Sequence, residues 1–292
     1  MGKIDDLFKH YNCNLDDEAV RLATAKLIAE KSGENDNKEV YARCLNLIDL
    51  TSLNGSDTYA QIEAMADKVN GFKATFPDLE NVAAVCVYPA LVPVMKGRLT
   101  EPVGIAAVSA GFPASQTFIE VKIAETSMAV HEGATEIDVV ISIGKFLEEK
   151  YDEVYEELAE IKAACRDAHL KVILETGALA TATRIKKASI LAMAAGADFI
   201  KTSTGKIAVS ATPEATYIMC GAIREWNEKN NVKVGYKPAG GIVTTEDAVH
   251  HYTLVKEILG SEWLNNHLFR FGASRLANNL LTSITGKEVK YF

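Results

Sequence analysis

No run of apolar residues in this sequence approaches the roughly 18 that a membrane-spanning helix needs. The first residues are acidic and do not resemble a secretion signal. The sequence also has fewer basic than acidic residues: 31 Lys and Arg against 39 Asp and Glu give a formal net charge of -8. Nucleic-acid binders, by contrast, present clustered basic residues. We therefore expect a cytoplasmic protein that binds neither a membrane nor a nucleic acid.

The sequence also lacks the short motifs that mark disulfide, metal and dinucleotide sites. Its five cysteines are scattered without a Cys-x-x-Cys pair, which indicates reduced thiols. Its six histidines include no His-x-x-x-His pair, and no Gly-x-Gly-x-x-Gly follows the first predicted strand. A mechanism that uses no metal and no cofactor is therefore expected.

From about residue 45 onward, short β-branched runs alternate with longer helical patterns, which is typical of a parallel sheet wound with helices. Most of the runs are apolar throughout, as expected where both faces of a strand are covered. The eight predicted strands are residues 45–49, 82–88, 103–109, 136–141, 171–175, 199–202, 233–237 and 268–271. Eight strands in about 250 residues match a closed (β/α)₈ TIM barrel, an α/β fold, better than an open doubly wound sheet.

Helical patterns fill the spaces between these runs, and some of their ends are readable. Thr212-Pro213-Glu214 is a helix start, because threonine caps free amides, proline suits the first turn and glutamate favours the positive end of the helix dipole. Gly133 and Gly196 stand where helices are expected to stop. The predicted helices cover residues 57–69, 115–131, 151–169, 181–195, 212–230 and 245–259.

About 40 residues precede this repeat. They are predicted to form one extra helix over residues 15–31 and a polar loop over residues 32–38. We therefore expect an N-terminal helical extension over residues 1–40 and a (β/α)₈ barrel over residues 41–292.

Two lysines lie inside predicted strands, Lys201 in the sixth and Lys237 in the seventh, although lysine is rarely buried without a partner. One interpretation is that each pairs with a carboxylate as a structural ion pair. The other is chemical: the two strands are neighbours in a barrel, and ammonium groups about 4 Å apart at an effective dielectric near 20 repel by roughly 4 kcal/mol. That repulsion would lower one lysine pKa toward roughly 7 to 8, and a neutral amine can attack a carbonyl to form a Schiff base.

Other polar residues interrupt the strands near the carboxyl ends, where the active site of such a barrel lies. They are Asp49, Cys86, Asp138, Lys171 and Glu175. Asp138, flanked by apolar residues, either accepts the proton of a departing hydroxyl or serves only as an ion-pair partner of the lysines. Cys86 is expected to lie near the ammonium groups, which predicts a partly ionised thiol that reacts with electrophiles.

Glycine-rich turns close the last strands and predict a phosphate site. A Gly-Gly pair at 240–241 follows the seventh strand, and residues 272–274 close the eighth. Barrel enzymes often hold phosphate between those two loops, using backbone amides that glycine leaves approachable. Gly205 and Lys206, after the sixth strand, would add an amide and a positive charge. The alternative is that these are plain turn glycines.

Three motifs make the sequence resemble the deoxyribose-phosphate aldolase family: FIKTSTGK at residues 199–206, KPAGG at 237–241 and FGAS at 271–274. Shorter matches in the same order are Asp49, CVYP at 86–89, GFP at 111–113, EIDVV at 136–140 and ETG at 175–177. An eight-residue lysine motif with several others in register is highly specific. The resemblance runs from Asp49 through the last helix.

The resemblance implies a class I, metal-independent lyase of deoxyribonucleoside catabolism. Such an enzyme reversibly cleaves 2-deoxy-D-ribose 5-phosphate to D-glyceraldehyde 3-phosphate and acetaldehyde, so its partners are a small sugar phosphate and an aldehyde. Family habit alone suggests a homodimer. Two other functions stay open: another class I Schiff-base aldolase or transaldolase, and a sugar-phosphate-binding barrel that does not catalyse turnover.

By the same resemblance, Lys201 is the Schiff-base nucleophile, Lys237 lowers its pKa, and Asp138 relays protons. The residues expected around the substrate are Asp49, Cys86, Lys171 and Thr204. Those expected to hold the phosphate are Gly205, Lys206, Gly240, Gly241, Gly272 and Ser274. Many bacterial members carry Arg where this chain has Val243 and Ser where it has Arg275, so the phosphate contacts are expected to differ in detail.

Overall fold

The computed structural model describes residues 3–292, and within them eight parallel strands form the wall of a barrel. Hydrogen bonds join the strands in the order β7-β6-β5-β4-β3-β2-β1-β8. Isolated bridges between Tyr236 and Phe269 and between Ala239 and Gly272 join β8 to β7 and close the ring. The strands are β1 Ile48–Thr51, β2 Ala84–Val87, β3 Gly104–Ser109, β4 Glu136–Val140, β5 His169–Ile173, β6 Phe199–Lys201, β7 Gly235–Lys237 and β8 Phe271–Ala273. The prediction of a (β/α)₈ barrel is confirmed.

Helices connect the strands and cover the outside of the barrel. Within the described part of the chain they are α1 Lys3–His10, α2 Asp17–Lys31, α3 Lys38–Asn46, α4 Tyr59–Thr75, α5 Val92–Arg98, α6 Ile119–His131, α7 Ile143–Leu147, α8 Tyr151–Cys165, α9 Thr176–Leu179, α10 Ala182–Ala194, α11 Pro213–Asn230, α12 Thr245–Leu259 and α13 Arg275–Thr285. Across residues 3–292, none of the helices combines the length and the apolar character that a bilayer crossing requires.

The predicted helix ends follow from local chemistry. The Thr212 hydroxyl accepts a hydrogen bond from the Ala215 amide at 3.1 Å, and Pro213 takes the first helical position of α11. Gly133 and Gly196 follow α6 and α10 with φ of +113° and +95°, backbone angles that L side chains rarely adopt. These starts and stops are confirmed.

Several predicted elements have different limits in the structure. The helix predicted over residues 151–169 ends at Cys165, and β5 covers residues 169–173 rather than 171–175. Residues 45 and 46 end α3 rather than begin a strand, because Asn37 caps a helix whose apolar residues Cys44 and Leu45 point into the core. Residues 115–118 lie outside α6, which begins at Ile119. At the eighth strand, residues 268–270 pair with β7 only through an isolated bridge, and regular pairing begins at Phe271.

The N-terminal helices pack against the outer helices of the barrel rather than standing apart. The Tyr11 ring stacks on Trp226 of α11, with ring centroids 5.4 Å apart. The predicted loop over residues 32–38 contains a 3₁₀ turn, Ser32–Asn35. Its last residue, Asn35, is buried, donates to the Thr253 hydroxyl and accepts from Lys256 of α12. The extension therefore shares the packing and polar contacts of α11 and α12.

Candidate active site

Seven charged side chains meet inside the barrel, and all of them are buried. They project from β1, β4, β5, β6, β7 and the residue before β8, so parallel pairing of distant segments brings them together. Four are cationic and three are anionic: Lys171, Lys201, Lys237, Arg270, Asp49, Glu136 and Asp138.

Asp138 on β4 is the acceptor that the two predicted lysines share. Its Oδ2 accepts from Lys201 Nζ at 2.7 Å and from Lys237 Nζ at 2.8 Å. Its other oxygen, Oδ1, is buried and has no hydrogen-bond partner among the described residues, although Lys171 Nζ lies 3.4 Å away. One oxygen of Asp138 thus holds the lysines, while the other remains available as an acceptor.

Asp49 and Glu136 form a second part of the network. Asp49 Oδ2 accepts from Lys237 and, at 3.1 Å, from Lys171, while its Oδ1 accepts from Arg270 at 2.6 Å. Glu136 accepts from Lys171 and, at 2.8 Å, from Arg270. Burial opposes ionisation of both carboxyls, but the neighbouring cations outweigh it and keep the pKa of each below its usual value.

The network separates the pKa values of its lysines. Burial lowers the pKa of Lys201; Asp138 opposes that shift, and the Lys237 ammonium reinforces it. For Lys237 and Lys171, burial acts in the same direction, but the surrounding carboxylates outweigh it and raise the pKa. Lys201 is therefore the most easily deprotonated of the three amines. The repulsion predicted from the sequence is present, yet burial is the larger cause.

Cys86 lies near this network, but its thiol is not ionised. The side chain is 1% exposed and packs with Leu53, Ala106 and Val108. Burial, and then Asp138, raise the pKa of the thiol to about 11, and the ammonium groups offset this only in part. The prediction of a partly ionised, reactive Cys86 is wrong, because the apolar surroundings outweigh the nearby positive charge.

A cavity of about 220 Å³ opens above Lys201 and collects the predicted phosphate loops. Its wall includes Lys201, Thr204 and all six expected phosphate residues, namely Gly205, Lys206, Gly240, Gly241, Gly272 and Ser274. By contrast, Asp49, Cys86, Asp138, Lys171 and Lys237 do not line this cavity. For Asp49, Cys86 and Lys171, direct contact with the substrate stays a prediction.

Close backbone approach explains two of the glycines. A Cβ on Gly240 would lie 2.9 Å from Gly205 Cα, so the loops after β6 and β7 can touch only without a side chain there. A Cβ on Gly272 would lie 3.1 Å from Lys237 Cε and 2.6 Å from Ala239 Cβ. Glycine therefore shapes the cavity and makes room for a lysine of the network.

Hydrogen-bond donors and positive charge gather at one end of the cavity. Among the described residues, the backbone amides of Gly205 and Gly241 have no hydrogen-bond partner. Helix α13 begins at Arg275, and Ser274 precedes it without using its hydroxyl as a cap. Arg275 is exposed in the cavity wall, to which Val243 also belongs. Free amides, a helix start and a cation are the features that bind anions.

Three residues that the structure connects to the site had no role predicted from the sequence: Glu136, Arg270 and Glu175, of which only Glu175 was noted as a polar residue near a strand end. Arg270 stands between Phe269 and Phe271 in a predicted strand, a position as unusual for a charge as that of Lys201, so its signal was available. Glu175 holds Thr204 of the lysine motif through two hydrogen bonds. Glu136 opens its strand, where a charge is ordinary, and only the fold reveals its burial.

Known proteins resemble the chain over most of its length. The DeoC/LacD family aldolase description matches residues 43–257. Deoxyribose-phosphate aldolase of Homo sapiens is 42% identical over 269 residues, covering 85% of this chain and 83% of that protein. The Mus musculus enzyme is 42% identical over 264 residues with the same coverage. A solved structure, described as the unique tetrameric structure of deoxyribose phosphate aldolase from Aeropyrum pernix, has a TM-score of 0.67 at 23% identity, covers 88% of this chain and 97% of its own, and supports the fold.

Proposed function

The chain belongs to the DeoC/LacD family of aldolases, and we propose that it reversibly cleaves 2-deoxy-D-ribose 5-phosphate to D-glyceraldehyde 3-phosphate and acetaldehyde. One observation carries the proposal for the site: a single cavity joins Lys201, an amine of lowered pKa, to the glycine amides and cations of the loops after β6, β7 and β8. A phosphorylated aldehyde needs an amine at one end and an anion site at the other.

The reaction begins at Lys201 Nζ. Its neutral amine attacks the aldehyde carbon, and the carbinolamine loses water to become an iminium ion. Asp138 Oδ2 orients the nitrogen through the 2.7 Å hydrogen bond. Lys237, on the same oxygen, relays through Asp138 and a bound water the proton with which the carbinolamine hydroxyl leaves as water.

Cleavage then breaks the bond between C2 and C3. The C3 hydroxyl loses its proton and becomes the aldehyde of glyceraldehyde 3-phosphate, while the C2–C3 electron pair moves to the iminium and leaves an enamine on Lys201. Asp138 Oδ1 is our candidate for the base and would act through a bound water, because Asp138 does not line the cavity and this oxygen has no hydrogen-bond partner in the described part of the chain. Protonation of the enamine at C2 and hydrolysis release acetaldehyde and restore the amine.

The phosphate binds at the opposite end of the cavity. Gly205 and Gly241 offer free amides, and Ser274 offers a hydroxyl at the start of α13. Lys206 donates to the Leu53 carbonyl oxygen and adds positive charge at the rim. Arg275 supplies a second cation, which compensates for the uncharged Val243 in the same wall.

The buried residues of the site act through these groups. Asp49 and Lys171 hold Lys237 and Asp138 in place. Thr204 lies in the wall of the cavity, and Cys86 packs behind that wall against Leu53, which lines the cavity.

Trapping of the Schiff base tests this proposal. The protein is incubated with acetaldehyde or 2-deoxyribose 5-phosphate and then reduced with borohydride, and the adduct is located by intact mass and peptide mapping. We expect a two-carbon adduct on Lys201 with acetaldehyde, together with release of glyceraldehyde 3-phosphate from the sugar phosphate.

Two variants make the trapping specific. Lys201→Leu should abolish both the adduct and turnover, whereas Lys206→Leu, a change at a lysine in the same cavity, should keep the adduct on Lys201. An adduct on another lysine would reassign the nucleophile. Sugar-phosphate binding without any adduct would favour a binding barrel and overturn the proposed activity.

A further inference from the structure

The charges of the buried network do not balance. Three lysines and one arginine face three carboxylates, so the fully ionised cluster carries one positive charge in excess. The cluster is almost entirely buried: Asp49, Asp138, Lys171 and Lys237 are fully buried, and the others are at most 6% exposed. Uncompensated charge is costly in such surroundings, and the least costly remedy is the loss of one proton.

The number of carboxylate contacts identifies the amine that gives up the proton. Lys171 contacts three carboxylates, namely Asp49, Glu136 and Asp138. Lys237 contacts two, Asp49 and Asp138. Lys201 contacts Asp138 alone, and a guanidinium such as Arg270 does not deprotonate in proteins. Lys201 is therefore the amine whose positive charge is least compensated by neighbouring carboxylates.

Arg270 and Glu136 belong to the buried cluster but reach Lys201 only through other members of it. Neither contacts Lys201 or lines the cavity; Arg270 bridges Asp49 and Glu136, and Glu136 also holds Lys171. The barrel makes room for them. A Cβ on Gly104 would come within 3.1 Å of the Glu136 carboxylate, and the Phe199 ring lies under both Lys171 and Arg270, 5.9 Å from each.

We propose that Arg270 and Glu136 are positioning residues for the aldol reaction, which set the net charge of the buried network so that its one excess positive charge is relieved at Lys201. The inference rests on the proposed function, because it explains how the nucleophile becomes neutral. The groups that face Lys201 are Asp138 of β4, Lys237 of β7 and the neutral thiol of Cys86 on β2. Lys171 of β5 acts on it through Asp138.

Neutralising Arg270 and neutralising Glu136 should shift the pKa of Lys201 in opposite directions. Arg270→Gln removes a positive charge, balances the cluster and should raise the pKa of Lys201 by about one pH unit at an effective dielectric near 20. Glu136→Gln removes a negative charge, leaves two positive charges in excess and should lower that pKa by a similar amount. The double variant restores the original excess and should return the pKa close to its starting value.

The pKa of Lys201 is read from the pH dependence of trace acetylation with acetic anhydride, followed by peptide mass spectrometry. This readout does not need turnover, so it separates the inference from the proposed function, which fails if acetaldehyde and borohydride leave no adduct on Lys201. Arg270→Lys keeps the positive charge but loses the guanidinium group that bridges Asp49 and Glu136. This variant should leave the pKa of Lys201 close to that of the unchanged protein. Circular dichroism shows whether each variant is folded.

Opposite shifts in the single variants, with recovery in the double variant, would support the assignment. If one single variant does not fold, the double variant and Arg270→Lys still carry the prediction of an unchanged pKa. Three results would overturn it: equal shifts in the same direction, no shift in either single variant, or a displaced pKa of Lys201 in both the double variant and Arg270→Lys. Shifts in the same direction would indicate damage to packing, because such damage does not depend on the sign of the charge removed.

Discussion

Both carboxylate oxygens of Glu175 accept hydrogen bonds from Thr204: Oε2 from the hydroxyl at 2.5 Å and Oε1 from the backbone amide at 3.2 Å. The same hydroxyl oxygen accepts from the Lys206 amide at 3.0 Å. Glu175 adopts left-handed backbone angles, with φ of 56° and ψ of 59°, which a non-glycine residue rarely adopts without a reason. The loop after β5 thereby fixes the loop after β6, which carries Gly205 into the cavity.

Glu175→Gln should weaken the hold on the substrate phosphate. The amide nitrogen that replaces one carboxylate oxygen cannot accept, so one Thr204 donor loses its partner. Hydrogen bonds to charged groups contribute about 1.5 to 3 kcal/mol, so we expect KM for 2-deoxyribose 5-phosphate to rise about tenfold or more, with a smaller change in kcat. Steady-state kinetics give both constants.

Changes at Thr204 provide the matched controls. Thr204→Ser keeps the hydroxyl and should behave much like the unchanged protein, whereas Thr204→Val should raise KM as Glu175→Gln does. Because the two residues share the interaction, the double variant should be little worse than either single variant. Fully additive effects would show that Glu175 and Thr204 act separately.

Arg275→Ala tests the proposed second cation of the phosphate site. The side chain is exposed and lines the cavity, so its charge can meet a bound ligand. We expect KM for 2-deoxyribose 5-phosphate to rise about tenfold, since hydrogen bonds to charged groups contribute about 1.5 to 3 kcal/mol. Arg21→Ala, at an exposed arginine paired with Glu18, should leave KM unchanged. A normal KM for Arg275→Ala would remove this residue from the phosphate site.

Alkylation tests the corrected view of Cys86. With the pKa of the thiol near 11, only about one thousandth of it is thiolate at pH 8, and the side chain is buried. Iodoacetamide should therefore leave Cys86 unlabelled in the folded protein and the activity intact, while the same treatment in denaturant labels all five cysteines. Rapid labelling of Cys86 with loss of activity would restore the original prediction of a reactive thiol.

The barrel could be predicted because each of its strands can be recognised separately in the sequence. A run such as residues 136–140 is buried along its whole length, as parallel strands covered on both faces must be. The start of the first strand was predicted wrongly because Leu45 and Leu47 are apolar residues that suit a buried helix as well as a buried strand. The decision came from the Asn37 side chain, which accepts from the Val40 amide at 3.1 Å and begins a helix that runs on to Asn46.

The site was predictable only as far as single residues reveal it. A lysine within an apolar strand is conspicuous, so Lys201 and Lys237 could be found, and the two interpretations of them turn out to be compatible. Each lysine pairs with Asp138, and the pairing still leaves one amine with a lowered pKa. The excess charge could not be counted from sequence, because it depends on the pairing of β1 with β8, which brings Arg270 to Asp49.

A buried polar contact behind the active site involves a histidine. His251 of α12 shares the Thr216 hydroxyl with Tyr236 of β7, both at 2.7 Å. Burial lowers the pKa of His251 to about 4, and the partly opposing charge of Asp247 does not restore it to its usual value near 6.5. The folded protein therefore keeps this imidazole neutral where the unfolded chain protonates it.

This difference predicts a loss of stability in mild acid. Above about pH 6.5 the histidine is neutral in both states and adds no pH dependence; as the pH falls from about 6.5 to about 4, only the unfolded state binds the proton, and stability drops by about 3 kcal/mol. His251→Asn should flatten the free energy of unfolding across that range, whatever the change costs at neutral pH. Chemical denaturation at several pH values measures the slope, with His250→Asn on the same helix as control. Equal slopes in the unchanged protein and His251→Asn would place the acid sensitivity elsewhere.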